Sequence, residues 1–313
     1  MTESSPIVEA QDLRPGDYDV VLVSPHLDDV ALSCPGALYR HRESRQSVLT
    51  VVPFSHAGTG ADTEMSRDYA TRRDEERRAA IQGGYDVLWG RFLDAPFRDP
   101  PARTFNDIVW GEGDDELLRR VSRWLQDLIS TVAPRLLLAP LGIGRHIDHR
   151  IVFSAIQCLS DEEFSATEQK LEIWHYEDRP YALVRHAAYL RLLELGIYRD
   201  VSFEQFWSSF VETPYVKRHL TCAKERRHCR RRYVELHRAK GGHEETQNPR
   251  KATSRLIKAP DCDSIWSVMA EHESQIEAFV GSIKSFRRSC RRYTRGIDPD
   301  APYLERQWRL YGL

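Results

Sequence analysis

The chain has 313 residues, 41% of them hydrophobic, enough to bury a real core as one large domain or as one domain with an extension. Its 45 basic and 47 acidic residues leave a formal net charge of −2, which argues against a global nucleic-acid or membrane binder. No stretch approaches the ~20 apolar residues that span a bilayer, and the N-terminus shows no secretory pattern, so a cytoplasmic protein with free thiols at its six cysteines is expected.

The first predicted element is a buried strand over residues 19–24, where Val20-Val21-Leu22-Val23 is bounded by Gly16 and Pro25. A loop carrying His26 to Asp29 follows, then a helix over 31–42 and a second buried strand over 46–54. An Arg-, Glu- and Ala-rich helix over 66–82 stops at Gly83-Gly84. A third strand is expected over 86–89, with a further extended piece over 90–93. Residues 114–129 place Leu117, Leu118, Val121, Leu125, Leu128 and Ile129 on one helical face, with Asp114 and Asp115 at its positive N-terminal end. A fourth strand over 135–139, a helix over 151–159 and a fifth strand over 170–175 complete the pattern.

This alternation predicts an α/β fold: a Rossmann-like layer of mostly parallel sheet with helices on both faces. The expected division is a Rossmann-like core over 1–181 and an α-rich C-terminal portion over 182–313 packed on it, with 239–250 as an exposed loop. In open sheets of this kind, ligands bind beyond the carboxyl ends of the strands.

Two loops at such ends concentrate titratable groups. The first reads Ser24-Pro25-His26-Leu27-Asp28-Asp29, the second Gly144-Arg145-His146-Ile147-Asp148-His149. Imidazoles and carboxylates are nitrogen and oxygen ligands suited to zinc, and the two loops hold more of them than a three-ligand catalytic site needs. One His or Asp on a loop is ordinarily just solvated. Two such loops on strands of one sheet point to a metal hydrolase.

Pro25-His26-Leu27-Asp28-Asp29 resembles the first motif of the PIG-L/LmbE-like deacetylase family, and His146-Ile147-Asp148-His149 resembles its second, HxDH. Arg73-Asp74-Glu75-Glu76 with Ala79-Ala80 is similar to the family's R-x-x-E helix. Phe92-Leu93-Asp94 is similar to a segment that supplies a substrate-facing aspartate. Tyr176-Glu177-Asp178 with Pro180-Tyr181 resembles a strand end seen in many members. The resemblance covers residues 19–181 and resumes near His272 and over 304–308.

It implies a zinc-dependent N-deacetylase that acts on the N-acyl, chiefly N-acetyl, amide of an amino sugar or sugar-bearing metabolite. His26, Asp29 and His149 would bind one zinc per chain, though iron or cobalt would also suit the donors. Asp28 would be the general base, His146 the oxyanion stabiliser if protonated, and Asp148 an orienting carboxylate. Arg73 and Asp94 would hold substrate hydroxyls. Gly144 departs from members that carry a tyrosine there, so any help from such a tyrosine must come from elsewhere.

Within the same chemistry, an amidase on a thiol conjugate or other non-sugar amide is the alternative. Gly144 to His149 also resembles the HxHxDH motif of metallo-β-lactamase-fold hydrolases but lacks its first histidine, and that reading leaves the first loop unexplained. A phosphate- or nucleic-acid-binding surface is the alternative from another class. It would use Lys217, Arg218, Lys224, Arg226, Arg227 and Arg230 to Arg232, interleaved with Tyr215 and Tyr233, and the basic residues of 285–295. Near-neutral net charge favours solvated helix faces instead. A third use for Arg230 to Arg232 is to cap the crevice and select an anionic or large substrate.

Overall fold

The computed structural model describes residues 5–58, 64–159, 171–198, 200–241 and 250–312. Five parallel strands alternate with helices: β1 (Val20–Val23), β2 (Val48–Val52), β3 (Asp86–Trp89), β4 (Leu136–Pro140) and β5 (Glu172–Tyr176). Every residue of β1 and β2 is buried, as expected of central strands covered by helices on both faces. The α/β architecture read from the sequence is the observed one, with two differences of detail.

First, the helix expected over 31–42 is two helices, α1 (Asp29–Ser33) and α2 (Pro35–Glu43). Pro35 has no N–H to donate and sits at the first turn of α2, so the first helix ends at Cys34. Second, the C-terminal portion is not only helical. It supplies β6 (Lys251–Ala259) and β7 (Tyr303–Tyr311), which extend the sheet in the order β3-β2-β1-β4-β5-β7-β6, with β7 antiparallel to both β5 and β6. Most of the loop expected over 239–250 lies outside the described residues.

The other elements follow their sequence signals. The helix α3 (Glu64–Gly83) ends at the paired glycines, and α4 (Phe105–Trp110) starts with a capping box of Thr104 and Asp107. In α5 (Asp115–Val132), the Asp114 carboxylate accepts from the amides of Glu116 and Leu117, while Leu117, Val121, Leu125, Leu128, Ile129 and Val132 are buried. The next helix, α6 (Ile147–Gln157), follows β4 after a short loop. Among the described residues no helix is long and apolar enough to cross a membrane.

Arg179, 2% exposed, ties the added strands to the core. Its guanidinium donates to Tyr303 Oη and to Leu304 O (2.7 Å), and its own amide donates to Ser33 Oγ (2.9 Å). Nearby, Glu305 accepts from the amide of Ala37 (3.0 Å), and burial pushes its carboxyl up to about 7 despite the pull of Arg179. Arg179→Met should cost about 1–3 kcal/mol by leaving Leu304 O and the Tyr303 hydroxyl without their buried charged donor. Urea denaturation reads this directly, and an unchanged midpoint would show that these groups find other partners.

Candidate metal centre

Strand order reverses between β1 and β4, whose carboxyl ends therefore flank an open crevice. The first loop leaves β1 and enters α1 at Asp29; the second leaves β4 and enters α6 at Ile147. Local bonds hold the first loop. Ser24 Oγ donates to His26 O (2.6 Å) and accepts from the amide of Val30 (3.0 Å). Asp29 Oδ2 accepts from the amide of His26 (2.8 Å).

The residues expected to bind metal come together. Asp29 lies between two imidazoles, with Oδ2 3.2 Å from His26 Nδ1 and Oδ1 3.3 Å from His149 Nε2. Two ligand atoms each about 2.0–2.2 Å from a tetrahedral zinc are separated by roughly either of these gaps, and the donor types suit a divalent ion. Behind His149, Nδ1 sits 2.6 Å from Asp178 Oδ1, while Asp178 Oδ2 accepts from the amides of Gly142 and Ile143. A carboxylate in that place fixes the ring's orientation and tautomer. The sequence reading assigned Asp178 no role; its signal was an acid just past β5, the strand next to β4.

Among the described residues, two groupings bring one donor atom from each member close enough to hold an ion, and neither includes Asp29. His26, His146 and His149 each offer an atom within 4.8 Å of the others, and so do His26, Asp94, His146 and Asp148. Asp28, Asp29, Asp94, Asp148 and Asp178 are all buried here. Burial alone would raise the Asp29 carboxyl, but His149 and His26 hold it at about 2. Burial likewise opposes charge on His149, yet Asp29 and Asp178 raise its pKa; on His26 the opposing pull comes first from Asp94. So many buried carboxylates favour a bound cation.

The other expected residues divide. Asp28 lies in the cleft, with Oδ1 3.4 Å from Arg72 Nη2. Asp148 Oδ2 is 3.1 Å from His26 Nε2, and its other oxygen is held by Arg98, so the imidazole it orients is His26. Asp94 lines the cleft, but Tyr69 and the amide of Ala95 donate to it and His26 Nε2 is 3.3 Å away. It is a member of the buried cluster.

Arg73 does not reach the cleft. Its guanidinium donates to Ser55 O (2.8 Å) and to His56 Nδ1 (3.2 Å). The arginine of α3 that faces the site is Arg72, 9% exposed and placed between Asp28 and Asp94. The reason is helical phase: Tyr69, Arg72, Glu76 and Ala79 recur at three- and four-residue spacing on the buried face of α3, and Arg73 is one step round. Burial first, then His26 and His149, hold the His146 pKa well below its usual value. Its Nδ1 accepts from the amide of Asp148 (3.2 Å), so the neutral ring carries its proton on Nε2. An uncharged donor replaces the expected imidazolium.

Gly144 is explained by its neighbour. Its φ is +84°, and a Cβ there would lie 2.5 Å from Cγ of Tyr181, whose ring lines the cleft. A phenol therefore approaches the second loop from another segment. Gly144→Ala combines backbone strain with that clash, so it should lower stability by about 1–3 kcal/mol and displace Tyr181. Wild-type thermal stability in that variant would show that the loop and the ring shift freely.

The arginine-rich helix lies outside the crevice. Arg230 pairs with Glu204, Arg231 with Glu235, and Arg232 lies over the Trp110 ring, all three exposed on an outer face. Tyr233 and Tyr215 pack into an apolar cluster, so neither ring is presented for stacking on bases.

Comparisons with known proteins agree with this geometry. Residues 21–159 match the PIG-L family, described as GlcNAc-PI de-N-acetylase. A 2'-N-acetylparomamine deacetylase of Streptomyces fradiae is 30% identical over 174 residues, 53% of this chain and 59% of that protein. The chain thus spans about three-fifths of the curated relative that it matches. A pseudoaglycone deacetylase for an antimicrobial reagent superposes with a TM-score of 0.61 at 17% identity, over 94% of this chain and 98% of the other. The zinc-inhibited form of a teicoplanin deacetylase gives 0.60 at 17%, over 93% and 97%. At these identities the two structures establish a shared fold.

Proposed function

We propose, from the PIG-L match over residues 21–159, that this chain is a metal-dependent hydrolase of the N-acyl amide on an amino sugar. Zinc is the ion proposed, held by His26, Asp29 and His149. The observation that carries the reading is the Asp29 carboxylate between His26 and His149 with Asp28 beside it. When bound, the ion supplies Lewis acidity, polarising a carbonyl and acidifying water at neutral pH.

The chain's own groups do the rest. Asp28 accepts the proton of the attacking water on its carboxylate, while Arg72, 3.4 Å away, fixes that carboxylate's position. His146 donates from Nε2 to the carbonyl oxygen as negative charge develops there. Asp28 then returns its proton to the amine nitrogen as the C–N bond breaks, so one water and one amide give one carboxylic acid and one amine. Asp178 and Asp148 hold the two imidazoles in place throughout.

The test is release of free amine from N-acetylated amino sugars by zinc-loaded protein, with and without a chelator. Chelator-sensitive release is expected. No release from any acylated amino sugar, at about one ion per chain, would overturn the reading.

A further inference from the structure

Next to the polar cleft lies a second and larger space. It has a volume of about 400 Å³ and is enclosed mainly by helices beyond the region of the family match. Phe105 and Val109 of α4 form one wall, and Val184, Ala187, Phe210 and Val216 form the others, each less than a tenth exposed. A concave, mostly apolar chamber with a few polar groups on its wall is the usual form of a small-molecule site. It joins the cleft at His146, Pro180, Tyr181 and Phe279, which line both spaces.

We propose that this chamber receives the aliphatic chain of the substrate's N-acyl group, so that the enzyme prefers medium-length acyl chains to acetyl. The inference rests on the amide-hydrolase reading above and names its substrate class. Three observations carry it. His146, the donor proposed for the carbonyl oxygen, lines both spaces, and an acyl chain leaves the same carbonyl carbon. The cleft proper is polar, with Asp28, Arg72, Asp94 and Gln275 on its walls, and suits sugar hydroxyls. The chamber's charged lining is Arg145, Arg191 and Arg292 with Glu194 and Glu212; Arg145 and Arg191 share Glu194, and Glu212 is paired with Lys217. Both carboxylates already have basic partners, which disfavours a polycationic aminoglycoside part and leaves the apolar acyl chain as the fitting occupant.

Calorimetry decides it, using zinc-loaded Asp28→Asn protein so that the ligands are not consumed. The probes are N-acetylglucosamine, N-octanoylglucosamine, and the octyl glycoside of N-acetylglucosamine, which carries the same chain at the anomeric carbon. Each buried methylene gains roughly threefold in affinity, so N-octanoylglucosamine should bind on the order of tenfold or more tighter than N-acetylglucosamine, with no such gain for the glycoside. Ala187→Phe, which fills the chamber, should erase the gain and leave N-acetylglucosamine binding unchanged. Equal affinity for the two N-acyl sugars, or a gain confined to the octyl glycoside, overturns the assignment even if that variant does not fold. Wild-type hydrolysis separates the two readings. N-acetyl cleavage without a chain-length gain in binding sinks only the chamber's role, whereas the gain without cleavage of either amide supports the chamber and sinks the amide-hydrolase reading.

Discussion

Protein carrying His149→Ala is expected to fold and to retain less than a tenth of an ion per chain, with amine release at background. His149 is 1% exposed in the first turn of α6 and presents Nε2 to Asp29. Truncation removes one of the three proposed ligands, which a catalytic site with an open position could not spare. The fold tolerates the loss because Asp178 keeps the amides of Gly142 and Ile143 as donors. Asp178→Asn is the graded companion: it should weaken metal affinity or activity by roughly 10–100-fold, since the ligand stays but its orientation is no longer fixed. Metal analysis by mass spectrometry checks both. Full metal in His149→Ala would move the ion to the other grouping, His26 and His146 with Asp94 and Asp148.

The contrast between those groupings shows what the sequence could reveal. Both loops were legible because each follows an apolar run that can only be a buried strand, and rules for open sheets place ligands at such ends. Which donors face one another depends on the crossover between β1 and β4, and no local pattern encodes that. Arg72 was missed through helical phase, because a motif read as letters does not say which side of α3 turns inward. Asp178 lies 29 residues from His149, and strand pairing alone brings them together.

The C-terminal strands escaped for a different reason. Lys251–Ala259 is an edge strand in which Lys251, Thr253, Ser254 and Lys258 are exposed, so its apolar content is low and the stretch falls within the portion expected to be α-rich. The chamber was invisible as well. Its walls come from separate elements spread between Phe105 and Arg292, and a cavity has no signature in any one of them.

Asp28→Asn should separate binding from chemistry. The carboxamide has nearly the same shape, and Asp28 is not among the proposed ligands, so about one ion per chain should remain. An amide cannot accept the water's proton at neutral pH, and general-base removal ordinarily costs roughly 10²–10⁴ in rate. That loss should appear in kcat, with KM changed little, because the group acts on the proton and not on the sugar. Arg72 sharpens the point: Arg72→Met leaves Asp28 without the guanidinium 3.4 Å away and should produce a smaller fall in kcat. Steady-state kinetics of both variants at matched metal content test the assignment. If Asp28→Asn turns over at the wild-type rate while Arg72→Met is impaired, Asp28 is not the base, and the proton must be taken by another carboxylate of the cluster, of which Asp94 lies next to the same arginine.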